Sequence, residues 1–357
     1  MTLDITAGID PAWDRILPSR PQQADLRESV SMWISDDQGR FGLPRFCLEA
    51  VGSQWDERGI QANIAFPDGR VLIGTGGFKA LPTGNAKGQA AVLGAGPLAF
   101  ECVEPLRRWR MTFRGKAYET TVADQTRGIT SGPLREVTID VVADMAVPPW
   151  LPGEAAAGNQ AENVSSLTAK HIGGVGGSRH EQLFRCRGRF AIRGEQALEF
   201  TGTGLRIHRV GVREMAEFRG HCWQSALFPS GRGFGSLAFP GSAGDNSGFN
   251  DAFLFDGQRM IPARVVEAPW MKRFVASGGA VDIVLESELG ITRIGGTSHD
   301  STLTQAGVPL FGDWVVDGQR PPVPFPFHQG GARYTWDGET AYGMVERSYP
   351  DVAFASP

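Results

Sequence analysis

The chain has few cysteines and none of the spacings that usually bind metal. Its four cysteines are far apart, without a Cys-x-x-Cys pair or a histidine at zinc-ligand spacing; they are Cys47, Cys102, Cys186 and Cys222. We therefore predict no metal site and a reduced, cytoplasmic protein. The N-terminal stretch lacks a basic region followed by an apolar one, so no signal peptide is expected. Since no segment reaches about eighteen uninterrupted apolar residues, no integral membrane segment is expected.

The chain also lacks a large excess of one charge and the motifs of nucleotide-binding proteins. Its 35 basic and 39 acidic side chains give a net charge of -4, and no basic run follows the pattern of a phosphate-backbone contact. Nucleic acid is therefore not an expected partner. The glycine-rich stretch at 171–177 lacks the Lys-Ser/Thr of a phosphate loop, and no Gly-x-Ser-x-Gly elbow occurs. We predict no cofactor.

Turn signals recur at short spacing, and the segments between them alternate apolar with polar residues. This pattern predicts an all-β sandwich or barrel with little helix. The 47 glycines and 23 prolines fit many tight connections. The segment Leu26–Trp33 fits either a helix or a strand. Four Asp-Gly pairs predict hairpins with type I′ turns: Asp68-Gly69, Asp256-Gly257, Asp317-Gly318 and Asp337-Gly338.

Two consecutive β domains are predicted from a composition shift and a repeated phrase. The stretch Val147–Ser166 is rich in Pro, Ala, Gly and polar residues, as linkers are. The phrases AFPDGR at 65–70 and LFPSGR at 227–232 lie on either side of it, which favours a duplicated domain. We expect domains at 1–150 and 176–357, joined by a linker at 151–175. The nine Trp and 21 Phe residues could fill two cores or line a cavity for an apolar ligand.

One predicted strand carries an unusual charged face. From Phe200 onward, strand alternation places Gly202, Gly204, Arg206 and His208 on the same side. If that side points inward, the two glycines leave an open volume beside the arginine and the histidine, which would be a ligand pocket. If it points to solvent, the glycines mark a bulge and the polar side chains are hydrated. Histidine can exchange protons near neutral pH, so His208 is the predicted proton-transfer residue.

A second strand would supply the opposite wall of this pocket. His221 and Trp223 share one face of the following run, which we expect to oppose the face with Arg206 and His208. The indole of Trp223 could stabilise a positive charge, or it could simply be a core aromatic. The predicted catalytic residues are His208, Arg206, Arg213, His221 and Asp251. The predicted substrate-binding residues are Trp223, Gly202, Gly204, Glu214 and Trp33.

The stretch Glu181–Arg213 resembles the lipocalin-like superfamily that contains carotenoid 1,2-hydratases (hydroxyneurosporene synthases), tocopherol-cyclase-like proteins and AttH-like proteins. The shared pattern is a Glu-Gln strand, a Gly-Glu hairpin, Gly-x-Gly-x-Arg-x-His and Gly-x-Arg. It is filled by Glu181, Gln182, Gly194, Glu195, Gly202, Gly204, Arg206, His208, Gly211 and Arg213. The resemblance implies two consecutive lipocalin-like β-barrel domains that enclose a hydrophobic cavity.

The chain departs from this pattern beside the histidine. Many relatives carry Asp-His-x-Trp-Gly, whereas Ile207 and Val210 occupy the acid and tryptophan positions here. Candidates for the missing acid are Glu214, Asp251 and Glu346, and Arg206 and Arg213 could keep such a carboxylate ionised or bind a polar end of the substrate.

The expected partner is a hydrophobic small-molecule substrate. The predicted function is that of a cofactor-independent acid–base enzyme, a hydratase, dehydratase, isomerase or cyclase, that acts on a hydrophobic molecule in a barrel cavity; isoprenoid and polycyclic compounds are the candidate substrates. The alternatives are a non-catalytic carrier of a lipid-like ligand and a structural domain without a cavity.

Overall fold

A computed structural model confirms the predicted all-β fold. It describes residues 4–153, 178–212, 220–240, 250–305, 326–348 and 353–354. Arg213, Glu214, the pair Asp317-Gly318 and the predicted linker beyond Gly153 lie outside these residues. The described helices are short: two 3₁₀ turns, Pro11–Asp14 and Gly52–Gln54, and the α-helix Val122–Thr126. No helix in the described ranges is both long and apolar enough to span a membrane.

The first sheet contains ten strands in the order β4-β3-β2-β1-β10-β9-β8-β7-β6-β5. A further pairing of β4 with β7 closes eight of these strands into a ring, with β5 and β6 extending from β7. The strands are β1 (Arg27–Asp36), β2 (Gly42–Val51), β3 (Glu57–Ala65), β4 (Arg70–Lys79), β5 (Val92–Ala95), β6 (Leu98–Glu104), β7 (Arg108–Thr121), β8 (Leu134–Met145), β9 (Ser178–Ile192) and β10 (Leu198–Gly211).

The second sheet is a closed eight-stranded barrel in the order β11-β12-β13-β14-β16-β17-β18-β19. Its strands are β11 (His221–Leu227), β12 (Gly233–Ala238), β13 (Asn250–Phe255), β14 (Met260–Glu267), β16 (Ile283–Ser287), β17 (Gly290–Gln305), β18 (Pro326–Trp336) and β19 (Glu339–Ser348). A short parallel pair, β15 (Arg273–Phe274) and β20 (Ala353–Phe354), lies outside it.

Strand alternation explains how each sheet encloses a core. In β7 the side chains of Trp109, Met111 and Phe113 are fully buried, whereas Arg110 and Thr112 between them are half-buried and the flanking Arg108 and Arg114 are exposed. A period of two places alternate side chains on opposite faces of a sheet. Burial of each large apolar side chain stabilises the fold by about 1.5–3 kcal/mol, so this alternation fixes which face of β7 points inward.

The first barrel extends past the predicted linker. Strands β9 and β10 pair with β8 and β1, respectively, and thereby complete the first ring. The chain passes from the first barrel to the second between Gly211 and His221, not at the linker predicted for 151–175. The composition shift at 147–166 is a local pattern, whereas the boundary between the barrels depends on which strands pair: β9 and β10 fill the place between β8 and β1.

The repeated phrase forms the same hairpin turn in each barrel. In the first, Phe66 N donates to Arg70 O and Gly69 N donates to Phe66 O, both at 3.0 Å. In the second, Phe228 N donates to Arg232 O at 2.8 Å, and Gly231 N to Phe228 O at 3.0 Å. The phrase therefore encodes one local structure, used at β3–β4 and again at β11–β12.

The predicted hairpins at the three described Asp-Gly pairs are confirmed, but the predicted turn type is correct at only one. At Asp337-Gly338 both residues have positive φ, 47° and 82°, as a type I′ turn requires. At the other two pairs only the glycine does. There the aspartate Oδ1 accepts a hydrogen bond from the backbone two residues later, as Asp68 does from Arg70 N at 3.0 Å. This side-chain turn replaces the type I′ geometry.

Candidate functional site between the two barrels

A partly open cavity of about 50 Å³ lies where the outer faces of the two barrels meet. The first barrel contributes side chains of β1, β2, β9 and β10, and the second contributes side chains of β11, β12, β18 and β19 and of Phe239, which follows β12. The cavity is lined by Ser29, Ser31, Trp33, Arg45, Arg179, Ile207, Arg209, His221, Trp223, Leu237, Phe239, Phe327 and Glu346. Three of the predicted site residues, Trp33, His221 and Trp223, are therefore brought together here.

Two tryptophans form the wall of the cavity at the barrel interface. The rings of Trp33 and Trp223 meet edge to face, with centroids 4.7 Å apart, a favoured aromatic geometry. Trp223 Nε1 donates to Glu181 Oε2 at 3.2 Å. Trp33 Nε1 is buried and has no hydrogen-bond partner among the described residues. The indole N–H of Trp223 therefore has a hydrogen-bond acceptor, whereas that of Trp33 has none among the described residues.

His221 is held between a hydroxyl and a carboxylate. Its Nδ1 lies 2.6 Å from Ser348 Oγ, and its Nε2 lies 2.9 Å from Glu346 Oε1. All three side chains are buried, and antiparallel pairing of β11 with β19 places His221 directly opposite Ser348. This arrangement fixes the imidazole on both sides, as a proton-transfer residue requires.

The carboxylate of Glu346 is ionised although it is buried. Burial favours its neutral form, but the charge of Arg45 and the hydrogen bond with His221 outweigh that effect and lower the pKa to about 2. Arg45 Nη1 lies 3.3 Å from both carboxylate oxygens, and Gln329 Nε2 donates to Oε2 at 2.8 Å. Glu346 was considered from the sequence as a partner of His208; the structure pairs it with His221 instead.

Arg45 reaches the cavity through an irregular backbone. Its φ of 69° lies in the left-handed region, which is uncommon for a residue with a side chain. The pairing of β2 with β3 is interrupted here, between Gly42 and Phe46, and bulges of this kind redirect side chains. Sequence reasoning missed Arg45, although Pro44 beside it was a signal, because proline inside a strand marks an edge or a bulge.

Two further arginines border the cavity from β9 and β10. Arg179 Nε donates to Glu181 Oε1 at 2.9 Å, and the Arg179 guanidinium lies 5.3 Å from the centre of the Trp223 ring. Arg209 donates to Ser29 Oγ at 3.1 Å and lies 3.8 Å from Glu49. Burial, assisted by the charge of Arg179 and opposed by Glu49, lowers the pKa of Arg209 to about 10.

The alternation predicted for β10 is confirmed, but described residues fill the volume that was expected beside Gly202 and Gly204 on the face with Arg206 and His208. Phe200 belongs to the core of the first barrel, and Leu205 and Ile207 belong to the apolar cluster between the barrels. The face of β10 that carries Gly202, Gly204, Arg206 and His208 therefore points into the first barrel, away from the cavity between the barrels. Arg206 and His208 are 0% and 1% exposed.

Gly202 and Gly204 allow β1 to pack closely against β10, and they do not open a pocket. A Cβ at Gly204 would lie 2.1 Å from Trp33 O and 2.5 Å from Phe184 Cζ, and one at Gly202 would lie 2.3 Å from Ser35 O. Their missing side chains let the backbone of β1 approach β10. The space that the sequence suggested for a ligand is occupied by the protein itself.

This gives a testable expectation for Gly204→Ala. The added methyl must displace backbone as well as the Phe184 ring, so the free energy of unfolding should fall by about 1–3 kcal/mol or more. Gly77→Ala on β4 is the control, because a Cβ there would meet nothing within 4 Å. Urea unfolding of both variants measures the effect; equal stabilities would contradict the close approach.

Arg206 belongs to a buried ion-paired network that fixes the N-terminal 3₁₀ turn. Asp14 Oδ1 lies 2.7 Å from Arg206 Nη1 and 2.7 Å from His180 Nε2, and Asp14 Oδ2 accepts from Trp109 Nε1 at 2.8 Å. The Arg206 guanidinium also lies 4.6 Å from the Trp109 ring centre. Despite burial, Arg206 and the hydrogen bond with His180 hold the pKa of Asp14 well below its ordinary value.

His208 takes its carboxylate partners from this network and not from the predicted acids. Its Nε2 lies 3.1 Å from Glu28 Oε1, and its Nδ1 lies 3.6 Å from Asp14 Oδ1. Burial opposes protonation, but the hydrogen bonds with these carboxylates raise the pKa of His208 above its ordinary value. Of the candidate acids, Asp251 and Glu346 contact other residues, and Glu214 lies outside the described chain.

Asp14, His180 and His208 place potential ligand atoms within 4.8 Å of one another, a spacing that a metal ion could bridge. However, Arg206 donates to Asp14 Oδ1 and lies 3.2 Å from His180 Nε2. A divalent cation would have to bind next to this fixed positive charge and compete for the same atoms. The donor set therefore fits an ion-paired network better than a metal centre.

Asp251 is buried on β13, where its carboxylate receives backbone hydrogen bonds. Its Oδ2 accepts from Gly153 N at 2.6 Å and its Oδ1 accepts from Ala252 N at 2.9 Å. Burial raises its pKa to about 6, although both backbone donors oppose the shift. Asp251 does not line the cavity; its contacts anchor the end of the segment at 146–153.

The raised pKa of Asp251 predicts a pH dependence of stability. Between pH 3.8, the ordinary value, and about pH 6 the folded protein keeps a proton that the unfolded chain releases. The stability from this group is present at low pH and is lost as pH rises through that window. Relative to Asp251→Asn, the unfolding free energy of the wild type should fall by at most about 3 kcal/mol from pH 4 to pH 7.

Urea unfolding across this pH range tests the expectation. Asp256→Asn is a suitable control, because Asp256 lies in an exposed turn and its backbone hydrogen bonds lower its pKa. A difference between wild type and Asp251→Asn that stays constant with pH would contradict it.

Taken together, the fold and this cavity define a two-barrel, lipocalin-like protein with a polar and aromatic cavity between the barrels. The chain belongs to the DUF7064 family, described as a domain of unknown function, whose model matches residues 10–350. No curated protein matches the sequence.

Solved structures show the same fold at low sequence identity. A putative AttH from Nitrosomonas europaea is 15% identical and superimposes with a TM-score of 0.56, covering 94% of this chain and 100% of its own. CghA is 10% identical with a TM-score of 0.53, covering 99% and 98%; its structure with Sch210972 gives 0.54 with the same coverage. The resemblance to lipocalin-like, AttH-like proteins is thus confirmed for the fold.

Proposed function

We propose that the protein is a cofactor-independent acid–base enzyme that acts on a hydrophobic small molecule bound between the two barrels. The observation that carries this proposal is the hydrogen-bonded chain Ser348–His221–Glu346, of which His221 and Glu346 line the cavity. Hydration, dehydration, isomerisation and cyclisation all require the proton transfer that such a histidine supplies. The structure of CghA with Sch210972 supports the proposal, because a protein of this fold holds a ligand.

In the proposed mechanism, Glu346 orients His221. An ionised carboxylate only accepts hydrogen bonds, so the neutral imidazole carries its proton on Nε2 and presents Nδ1 as the base. The Ser348 hydroxyl, which is hydrogen-bonded to Nδ1, passes its proton to Nδ1 as it takes one from the substrate, and Glu346 stabilises the imidazolium that forms. The imidazolium exchanges its proton with solvent and then returns one proton to a different substrate atom, so the protons balance and no redox partner is needed.

This assignment moves the predicted proton-transfer role from His208 to His221. Both histidines have carboxylate partners, but only His221 lines the cavity between the barrels. Trp33, Trp223 and the apolar side chains of Leu237 and Phe327 provide the hydrophobic surface. The water-poor surroundings would strengthen the interaction of Glu346 with the imidazolium.

Solvent deuterium tests the proposal. The protein is incubated in D₂O with an apolar extract of its source organism, and small molecules are analysed by mass spectrometry. An acid–base enzyme should convert a component and place deuterium on its product. If the protein retains a molecule that stays unchanged and unlabelled, it is a carrier and the enzymatic proposal is wrong.

A further inference from the structure

We propose that the cavity between the barrels binds an organic anion, with a carboxylate or enolate oxygen of the substrate held by Arg45, Arg179, Arg209 and the indole N–H of Trp33. This inference rests on the proposed function and adds the chemical class of the substrate. A hydrophobic ligand without such a group would leave the Trp33 indole N–H and the Nε of Arg45 without a partner among the described residues.

The first argument is an excess of positive charge. Among the described residues that line the cavity are three arginines, Arg45, Arg179 and Arg209, and one carboxylate, that of Glu346. Arg179 is paired with Glu181 and Arg209 lies near Glu49, but neither of these glutamates lines the cavity. Glu49 is shared by Arg27 at 3.3 Å and Arg209 at 3.8 Å. Burial also raises the pKa of Glu181, despite Arg179, which weakens the compensating negative charge.

The second argument is the position of two of these arginines. Arg179 and Arg209 stand directly opposite each other on the antiparallel strands β9 and β10. Like charges in such a cross-strand pair destabilise a sheet. Both side chains are largely buried, at 8% and 12% exposure, so solvent screens their repulsion poorly. An anion bound beside them would relieve it.

The third argument is the set of unused donors. Trp33 is 2% exposed, and its Nε1 lacks a hydrogen-bond partner in the described chain. The Nε of Arg45 is likewise buried and without a partner there. Buried donors are nearly always satisfied in folded proteins, and a bound oxygen atom would satisfy them.

The fourth argument is the size of the cavity and the use of its aromatic rings. Its volume of about 50 Å³ suits a small polar group, and Leu237, Phe239 and Phe327 border it for an apolar remainder. The Trp33 and Trp223 rings already have guanidinium groups nearby, Arg45 at 5.7 Å and Arg179 at 5.3 Å. These cations oppose a carbocation and favour a negative charge on oxygen.

A matched pair of probes tests this inference. 2-Naphthoate and 2-naphthamide have nearly the same shape but differ in charge, and isothermal titration calorimetry measures their binding to the full chain. We expect the wild type to bind naphthoate at least tenfold more tightly than naphthamide. Arg209→Met should reduce that preference to less than threefold, and Trp33→Phe, which keeps an aromatic ring, should weaken naphthoate binding several-fold.

Arg189→Met is the control, because Arg189 is an exposed arginine on β9, 63% exposed, and does not line the cavity. Circular dichroism establishes that each variant is folded. Equal affinity for the two probes, with binding still weakened by Trp33→Phe, would overturn the anion inference and leave the cavity as a ligand site. No binding, or binding that neither Arg209→Met nor Trp33→Phe alters, would count against both the anion inference and the proposed site.

Discussion

Replacing Arg206 with methionine should lower the free energy of unfolding by about 3–5 kcal/mol, the usual effect of removing one partner from a buried ion pair. Asp14 and Arg206 are both 0% exposed. Without the guanidinium, the Asp14 carboxylate keeps the neutral donor Trp109 Nε1 and the imidazoles of His180 and His208. Urea unfolding at pH 7 measures the change.

Arg189→Met provides the comparison for this experiment. Arg189 forms an exposed pair with Glu199, 3.5 Å apart, and such pairs contribute about 0–1 kcal/mol. The double variant Asp14→Asn, Arg206→Met removes both charges and should recover part of the lost stability. If Arg206→Met costs no more than the surface variant, the network does not hold the first barrel together as described.

Replacing His221 with glutamine should reduce turnover by about 10²–10⁴-fold, the range for loss of a positioned general acid–base group. Glutamine can still hydrogen-bond Ser348 or Glu346, so the fold and the affinity for the substrate should change little. The rate of deuterium incorporation from D₂O into the identified product measures the loss. Glu346→Gln should reduce the same rate, because an amide no longer fixes the tautomer or stabilises the imidazolium.

The variant His208→Gln distinguishes proton transfer by His221, as proposed from the structure, from proton transfer by His208, as predicted from the sequence. His208 contacts Glu28 and Asp14 within the first barrel, so its replacement should lower stability and change turnover by no more than a few-fold. Loss of turnover in a stable His208→Gln protein, together with an active His221→Gln protein, would return the proton-transfer role to His208.

The sequence was sufficient for the fold class and for the alternation along β10. Apolar and polar periodicity, the Asp-Gly hairpins and the superfamily resemblance all depend on local patterns. The periodicity could not tell which face of β10 meets the ligand cavity, because both faces are buried: one inside the first barrel, the other under the second. His208 and its partner Glu28 are 180 residues apart in the chain, so no local sequence pattern could predict their contact.

The candidate site was predicted in part. His221, Trp223 and Trp33 were named from the sequence and do line one cavity. Arg45 was missed because its role depends on a bulge. Arg209 was missed because it lies on the face of β10 that was assigned to packing; that face packs against the other barrel and also borders the cavity.

The most direct test of where the functional site lies is a crystal structure of the protein with bound 2-naphthoate. We expect the carboxylate in the cavity between the barrels, within hydrogen-bond distance of Arg209 or Arg45, and the ring at the open side of the cavity against Leu237, Phe239 or Phe327. A ligand found inside the first barrel, beside Arg206 and His208, would contradict the account.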